Sequence, residues 1–312
     1  MPIISGFKKR IRYLKSGMFT YKELLAACLD RGLLALCGRS TRFFAHVRAK
    51  RISEGKGLPP AKCSDGYHIR DIRIPLLDAR NEYAFYSFLW EETFSSYMFN
   101  DDKYDEASFN KYDQILEGGF YGLFNDKVSV TVEPGDIVID AGSWVGDFAA
   151  YASVKGASVY AFEPADDLYG YLTETARMNR NIFPVKKGIS SESTNTTFYT
   201  SPIGESEANS LIALDGYIAS QIEVTTIDDF VRENHLPRVD FIKADIEGFE
   251  RHMLAGAQET LARFAPKLAL CTYHLPDDPE VMAKLILQAN PKYNIVQKRM
   301  KLFASVPYEA AK

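Results

Sequence analysis

A chain of 312 residues, 46% hydrophobic and 25% charged, is long enough for two domains and apolar enough to bury a core, which excludes general disorder. No apolar run approaches the roughly 20 residues of a membrane-spanning helix, and no apolar segment with a cleavage site follows Lys8, Lys9 and Arg10; the sequence thus predicts a soluble, cytoplasmic protein. The formal net charge of −4 conceals an asymmetry, because residues 1–60 hold 13 Lys/Arg against 3 Asp/Glu and the remainder 24 against 38.

The basic head opens the chain. Leu24, Leu25, Cys28, Leu29, Leu33 and Leu36 recur at helical spacing behind the capping pair Thr20 and Glu23, so residues 20–51 predict two helices parted at Gly38. The head carries no nucleic-acid motif, which leaves a solvated helical face, an acidic partner or, as the sharper reading, contact of residues 1–60 with an anionic membrane surface. Gly55, Gly57, Pro59, Pro60 and Gly66 predict a linker over 53–67. Residues 80–112, rich in Tyr83, Phe85, Tyr86, Phe88, Trp90, Phe94 and Tyr97, predict helices packed as a cap. Cys28, Cys37, Cys63 and Cys271 form no CxxC pair and signal neither a zinc site nor disulfides.

From Val130 strands and helices alternate, the signature of a parallel sheet. Strands are expected at Asp136–Asp140, Ala157–Phe162, Val185–Ile189, Val239–Lys243 and 267–273. Helices are expected through Phe148–Val154, over Asp166–Asn179, from Thr226 and over 249–263, with a Ser/Thr/Asn-rich excursion at 190–210. Tyr293–Gln297 and Leu302–Val306 predict a terminal antiparallel hairpin. The fold class is therefore α/β: a doubly wound, mostly parallel sheet with a C-terminal antiparallel edge hairpin, preceded by a helical N-terminal region. Three segments are expected, a basic head with linker at 1–75, an aromatic cap at 76–129 and the α/β domain at 130–312.

Asp140-Ala141-Gly142-Ser143-Trp144-Val145-Gly146 sits at a strand-to-helix junction, and Glu163-Pro164 ends the next strand. Glycines let backbone approach a ligand, a helix N-terminus offers unpaired N–H groups, and an acid about 20 residues on accepts ribose hydroxyls. An adenosyl ligand satisfies all three. Trp144 stands where GxGxxG needs glycine, which disfavours a dinucleotide; S-adenosylmethionine has no phosphates, and Asp140 suits its amine. An NAD-type or other adenosyl-nucleotide enzyme, and a silent binding module on the same fold, are the alternatives.

The chain resembles the FkbM-type methyltransferases in Val132-Glu133-Pro134-Gly135-Asp136 through Gly142, in Ala161-Phe162-Glu163-Pro164, in Asp240-Phe241-Ile242-Lys243-Ala244-Asp245-Ile246-Glu247-Gly248-Phe249-Glu250, and in Leu254-Ala255-Gly256-Ala257. The resemblance covers residues 130–275. It implies a Rossmann-like fold and S-adenosylmethionine-dependent O-methylation of natural products or sugars, hence a small-molecule or glycan acceptor bearing a hydroxyl. Tyr121-Gly122 resembles a family position near the donor. The family shows Ala-Asn where this chain has Ser143-Trp144. Asp245, Glu247 and His274 fall at strand ends, where such sheets bind ligands, so His274 is expected to take the acceptor's proton with Asp245 as its partner. The rival is Mg2+ held by the carboxylates.

Overall fold

A computed structural model describes residues 61–69, 71–90, 122–124, 127–200, 217–298 and 301–307. The expected helices at 20–51, the cap beyond residue 90 and Tyr121 lie outside the described residues.

The chain divides into two compact units. The smaller contains strands β1 (Ala61–Lys62) and β2 (Gly66–Ile69), paired antiparallel, and helix α1 (Ala79–Trp90). The expected linker is thus corrected over 61–67, where Cys63 N–H closes a tight turn on Gly66 O at 2.7 Å. Asp78 begins α1 by accepting the Arg80 and Asn81 N–H groups at 2.9 and 2.8 Å, and Tyr67 O–H donates to Glu82 Oε1.

The larger unit contains strand β3 (Ile72–Pro75), the short hairpin β4 (Leu123–Phe124) and β5 (Ser129–Val130), and everything after. Its α/β body begins with β6 (Ile137–Ala141), α2 (Asp147–Val154), β7 (Ser158–Phe162), α3 (Asp166–Met178) and β8 (Ile182–Val185). Next come β9 (Gly188–Ile189), β10 (Thr194–Thr200), β11 (Ile218–Thr225), α4 (Ile227–Glu233) and β12 (Phe241–Ala244). It closes with α5 (Glu250–Ala255), α6 (Gln258–Phe264), β13 (Lys267–Cys271), α7 (Asp278–Ala289), β14 (Asn294–Lys298) and β15 (Lys301–Ser305).

Seven strands form one sheet in the order β14-β15-β13-β12-β6-β7-β8. The run from β13 to β8 is parallel, while β15 is antiparallel to both β13 and β14. This is a doubly wound Rossmann-like sheet with the expected terminal hairpin, and its parallel strands read as apolar runs because helices cover both faces. The chain runs outward from β6 to β8 and then returns to β12 on the other side of β6. The switch point, where such sheets open a crevice, therefore lies between β6 and β12. Ile139, Ile242, Leu268, Leu270 and Leu302 pack there with Ile227, Leu254, Leu261, Met282 and Ile286 from the helices.

Three expected elements shift. The third strand is Ile182–Val185 rather than 185–189, and the polar stretch expected as an irregular excursion holds β10, antiparallel to β11 in a second sheet whose β9 runs parallel to β11. The expected helix 249–263 is two helices that part at Gly256, where a Cβ would lie 2.4 Å from Ser190 O. Asp228, from α4, then caps α6 by accepting the Glu259 and Thr260 N–H groups at 3.0 and 2.8 Å. Helix α7 carries no corresponding expectation.

Candidate functional site

Two loops meet at the switch point. The first leaves β6: Gly142 and Ser143 donate their N–H groups to Phe162 O, and Gly142 turns through a φ of +74. A Cβ there would lie 2.0 Å from Asp245 O, so only glycine fits. Gly146, at φ +86, lets α2 approach α3, with Leu172 and Thr175 against it. Trp144 holds a φ of +49, a left-handed conformation that asparagine tolerates better than a bulky side chain.

Glu163 follows β7 and is buried, as the strand-end position requires. Its Oε2 accepts Trp144 N–H at 3.1 Å and its Oε1 accepts Ala165 N–H at 3.0 Å, which ties the glycine loop to the half-buried Pro164 turn. Burial dominates its titration and, against those two hydrogen bonds, pushes its pKa up to about 8. Asp140 is fully buried beneath the loop, 3.2 Å from Lys243 Nζ, which itself donates to Gly142 O at 2.6 Å. The structure therefore places Asp140 under the loop as Lys243's counter-ion, while Gly142, Ser143, Gly146, Glu163 and Pro164 form or border the loop itself.

The second loop leaves β12. Asp245 extends the strand pairing by donating its N–H to Ala141 O at 3.1 Å, and Glu247 and Gly248 then turn at φ +53 and +94 into α5. Glu250, the first residue of α5, is fully buried and accepts the Ile246 and Gly248 N–H groups at 2.8 and 3.1 Å. His274 arrives from beyond β13, on a segment pinned by Leu275 N–H donating to Asp278 Oδ2 at 2.8 Å. Its Nε2 lies 3.1 Å from Glu247 Oε2 and 3.9 Å from Asp245 Oδ1, and its Nδ1 lies 3.3 Å from Glu250 Oε1. Tyr273 packs its ring at a tilt of 43° against the imidazole, the centroids 4.0 Å apart, and donates its O–H to Asp245 Oδ1 at 2.8 Å.

Asp245, Glu247 and His274 are thus brought together, as their strand-end positions predict. Burial opposes charge on His274, but Glu247 and Glu250 override it and push its pKa up to about 10, so the imidazole holds a proton at neutral pH. That alters the expected role: a ring already protonated is a poor acceptor for a substrate proton. Burial raises the Glu247 carboxyl above its ordinary value, with His274 pulling the other way. Glu250, which at the start of a helix reads as an acid complementing the dipole, gives no sequence hint of its reach to His274 beyond being a carboxylate two residues past the Glu247-Gly248 turn. Tyr273, beside His274 in the sequence, went unassigned.

The Methyltransferase FkbM domain profile matches residues 139–293, the stretch that holds both loops and His274. Residues 139–293 thus form a domain of the FkbM methyltransferase family. Among its relatives, hexuronic acid methyltransferase AglP of Haloferax volcanii is 30% identical over 158 residues, covering 50% of this chain and 64% of that protein. The 31-O-demethyl-FK506 methyltransferase FkbM of Streptomyces tacrolimicus is 26% identical over 173 residues, covering 44% and 66%. Methyltransferase sdnD of Sordaria araneosa is 28% identical, covering 39% and 60%. The chain thus spans under two thirds of the length of each of these relatives. A solved methyltransferase FkbM from Methylobacillus flagellatus KT superposes with a TM-score of 0.45 at 20% identity, over 72% of this chain and 59% of that one. Among the described residues no helix is long and apolar enough to cross a membrane.

Proposed function

We propose that this protein is an S-adenosylmethionine-dependent O-methyltransferase acting on a hydroxyl of a sugar or natural product. The observation that carries the reading is the meeting, at one switch point, of a glycine loop joined to Glu163 and a cluster of two carboxylates with a histidine. The donor set fits the cofactor. Each Glu163 oxygen accepts one backbone N–H and keeps capacity for a ribose hydroxyl, while Gly142, Ser143 and Gly146 bring backbone rather than side chains to the crevice. The two relatives whose names state an acceptor, a hexuronic acid and a demethylated FK506, support a hydroxyl-bearing sugar or natural product.

S-adenosylmethionine, when bound, would supply an electrophilic methyl group and a sulfur leaving group. The protein's task is to hold the acceptor oxygen in line and take up its proton. Asp245, Glu247 and His274 form the catalytic cluster, with the Glu247 carboxylate receiving the proton and the charged His274 holding both carboxylates in place. Mg2+ held by the same carboxylates is the second device that would make the hydroxyl acidic, favoured by the clustering of three ligand-bearing residues.

A thermal-shift titration and a labelled-methyl screen test this reading. S-adenosylhomocysteine should stabilise the protein and NAD should not, and label should pass from the donor to hydroxylated sugars or polyketides. Stabilisation by NAD alone would refute it. We read the protein as cytoplasmic and its basic head as touching an anionic membrane surface. Salt-sensitive co-sedimentation with phosphatidylserine vesicles, lost when Lys8, Lys9 and Arg10 are neutralised, is the expected result.

A further inference from the structure

We propose that Asp245, Glu247 and Nε2 of His274 hold a divalent transition-metal cation of the Mn2+ class, which displaces the proton that Nε2 carries in the metal-free protein and takes over from the charged ring in holding the two carboxylates, while Glu250 orients the imidazole from its Nδ1 side. The inference rests on the methyl-transfer reading for its purpose, the polarising of an acceptor hydroxyl, and not for its existence.

Distance is the first argument. Imidazole and carboxylate ligands lie about 2.0–2.2 Å from such a cation, so two donors on one ion are separated by roughly 3 to 4.3 Å. His274 Nε2 stands 3.1 Å from Glu247 Oε2 and 3.9 Å from Asp245 Oδ1, and donor atoms of all three residues lie within 4.8 Å of one another.

The histidine supplies an independent argument. Its side chain is 9% exposed, yet neither ring nitrogen makes a hydrogen bond of good geometry, although both face carboxylates. Buried imidazole normally has both nitrogens satisfied. A ring aimed into the cluster through Nε2, with a fully buried carboxylate behind Nδ1, is the arrangement by which proteins fix a metal-binding histidine's tautomer and direction. Glu250 cannot drift, since it also accepts two backbone N–H groups of the loop carrying Glu247. Tyr273 O–H orients Asp245 in the same way.

The donor set selects the ion. Mg2+ favours oxygen ligands, whereas one imidazole with two carboxylates suits Mn2+ and its first-row neighbours. The site lies at the edge of the crevice, because Asp245 O is the atom against which Gly142 has no room for a side chain.

The test is direct binding without donor or acceptor. Full-length protein freed of metal by chelation is titrated with Mn2+ by calorimetry and followed by pulsed electron paramagnetic resonance. The expected result is one Mn2+ per chain with a nitrogen-14 coupling from a ligated imidazole, and Mg2+ at least about tenfold weaker. Binding should weaken about tenfold or more in Asp245→Asn and roughly 10–100-fold in Glu250→Gln. The nitrogen coupling is read on the wild-type protein, so a substitution that fails to fold does not blunt the test. No saturable binding, binding without nitrogen coupling, Mg2+ as tight as Mn2+, or unchanged affinity in folded Asp245→Asn would each overturn the proposal. S-adenosylhomocysteine binding on the same sample separates the two readings. Donor binding without metal ends the cation proposal alone, and metal binding without donor ends the methyl-transfer reading alone.

Discussion

Glu163→Gln tests how the glycine loop is held, because burial rather than a neighbouring charge governs this carboxyl. Its pKa rises from 4.5 to about 8, so the stability that the protonated form contributes is complete below pH 4.5 and lost as the pH climbs to about 8. At about 1.36 kcal/mol per pKa step, ionisation in place costs the free protein roughly 5 kcal/mol, an upper figure that relaxation and water entry would reduce. Glutamine cannot ionise. It also turns an amide N–H toward either the Trp144 or the Ala165 N–H, losing a hydrogen bond worth about 1–3 kcal/mol when a buried donor is left unpaired. Urea unfolding should therefore show the variant less stable than wild type at pH 5, with the gap closing and then reversing toward pH 9. Over the same range, S-adenosylhomocysteine should bind wild type progressively better than the variant, by about 1.5–3 kcal/mol once the carboxylate is ionised. A stability difference that stays flat from pH 5 to 9 would refute the burial argument; a flat difference in affinity would refute ribose recognition by Glu163.

Gly142→Ala should abolish S-adenosylhomocysteine binding and cost at least about 1–2 kcal/mol by thermal unfolding, since alanine is strained at φ +74 and its Cβ meets Asp245 O. Trp144→Asn relieves the left-handed conformation and should leave stability unchanged or raise it by up to about 1 kcal/mol, read by the urea midpoint. Lys243→Met leaves Asp140 fully buried without the cation 3.2 Å away and should cost about 3–5 kcal/mol on the same scale. Asp228→Ala strips the cap from α6 and should cost about 0.5–2 kcal/mol, visible as faster amide exchange at Glu259 and Thr260.

What could be read from the sequence follows where burial is two-sided. β6, β7, β12 and β13 are apolar runs because helices cover both faces, and the ends of such runs place Glu163, Asp245 and Glu247 from the sequence alone. β10 was illegible: Thr194-Asn195-Thr196-Thr197-Phe198 buries only Phe198 of its five residues, so its polar composition reads as loop although its backbone pairs with β11 along its whole length. The break between α5 and α6 falls at Gly256, where Ser190 O leaves no room for a side chain, a contact across more than sixty residues that no local pattern records. Helix α7 buries Met282 and Ile286 but exposes Leu287, which smears its apolar stripe. At the site, the strand ends located the histidine and its carboxylates. The proton that His274 holds depends on Glu250, whose position at the first turn of a helix reads equally well as a dipole acid.

Pro184, in β8, has a bearing on how this sheet meets other chains. β8 is the outermost strand on its side, and Val159 and Glu163 donate their N–H groups to Asn181 O and Val185 O. Alternation along the strand then turns residues 182 and 184 outward, toward the open edge. At 184 that edge offers no N–H at all, and Lys186 and Lys187 follow directly. A foreign strand trying to extend the sheet would lose one rung of the ladder and meet two cations beyond it. The edge is thereby guarded against accidental β-association by its own residues, which leaves this flank of the protein's sheet unreceptive to a foreign strand.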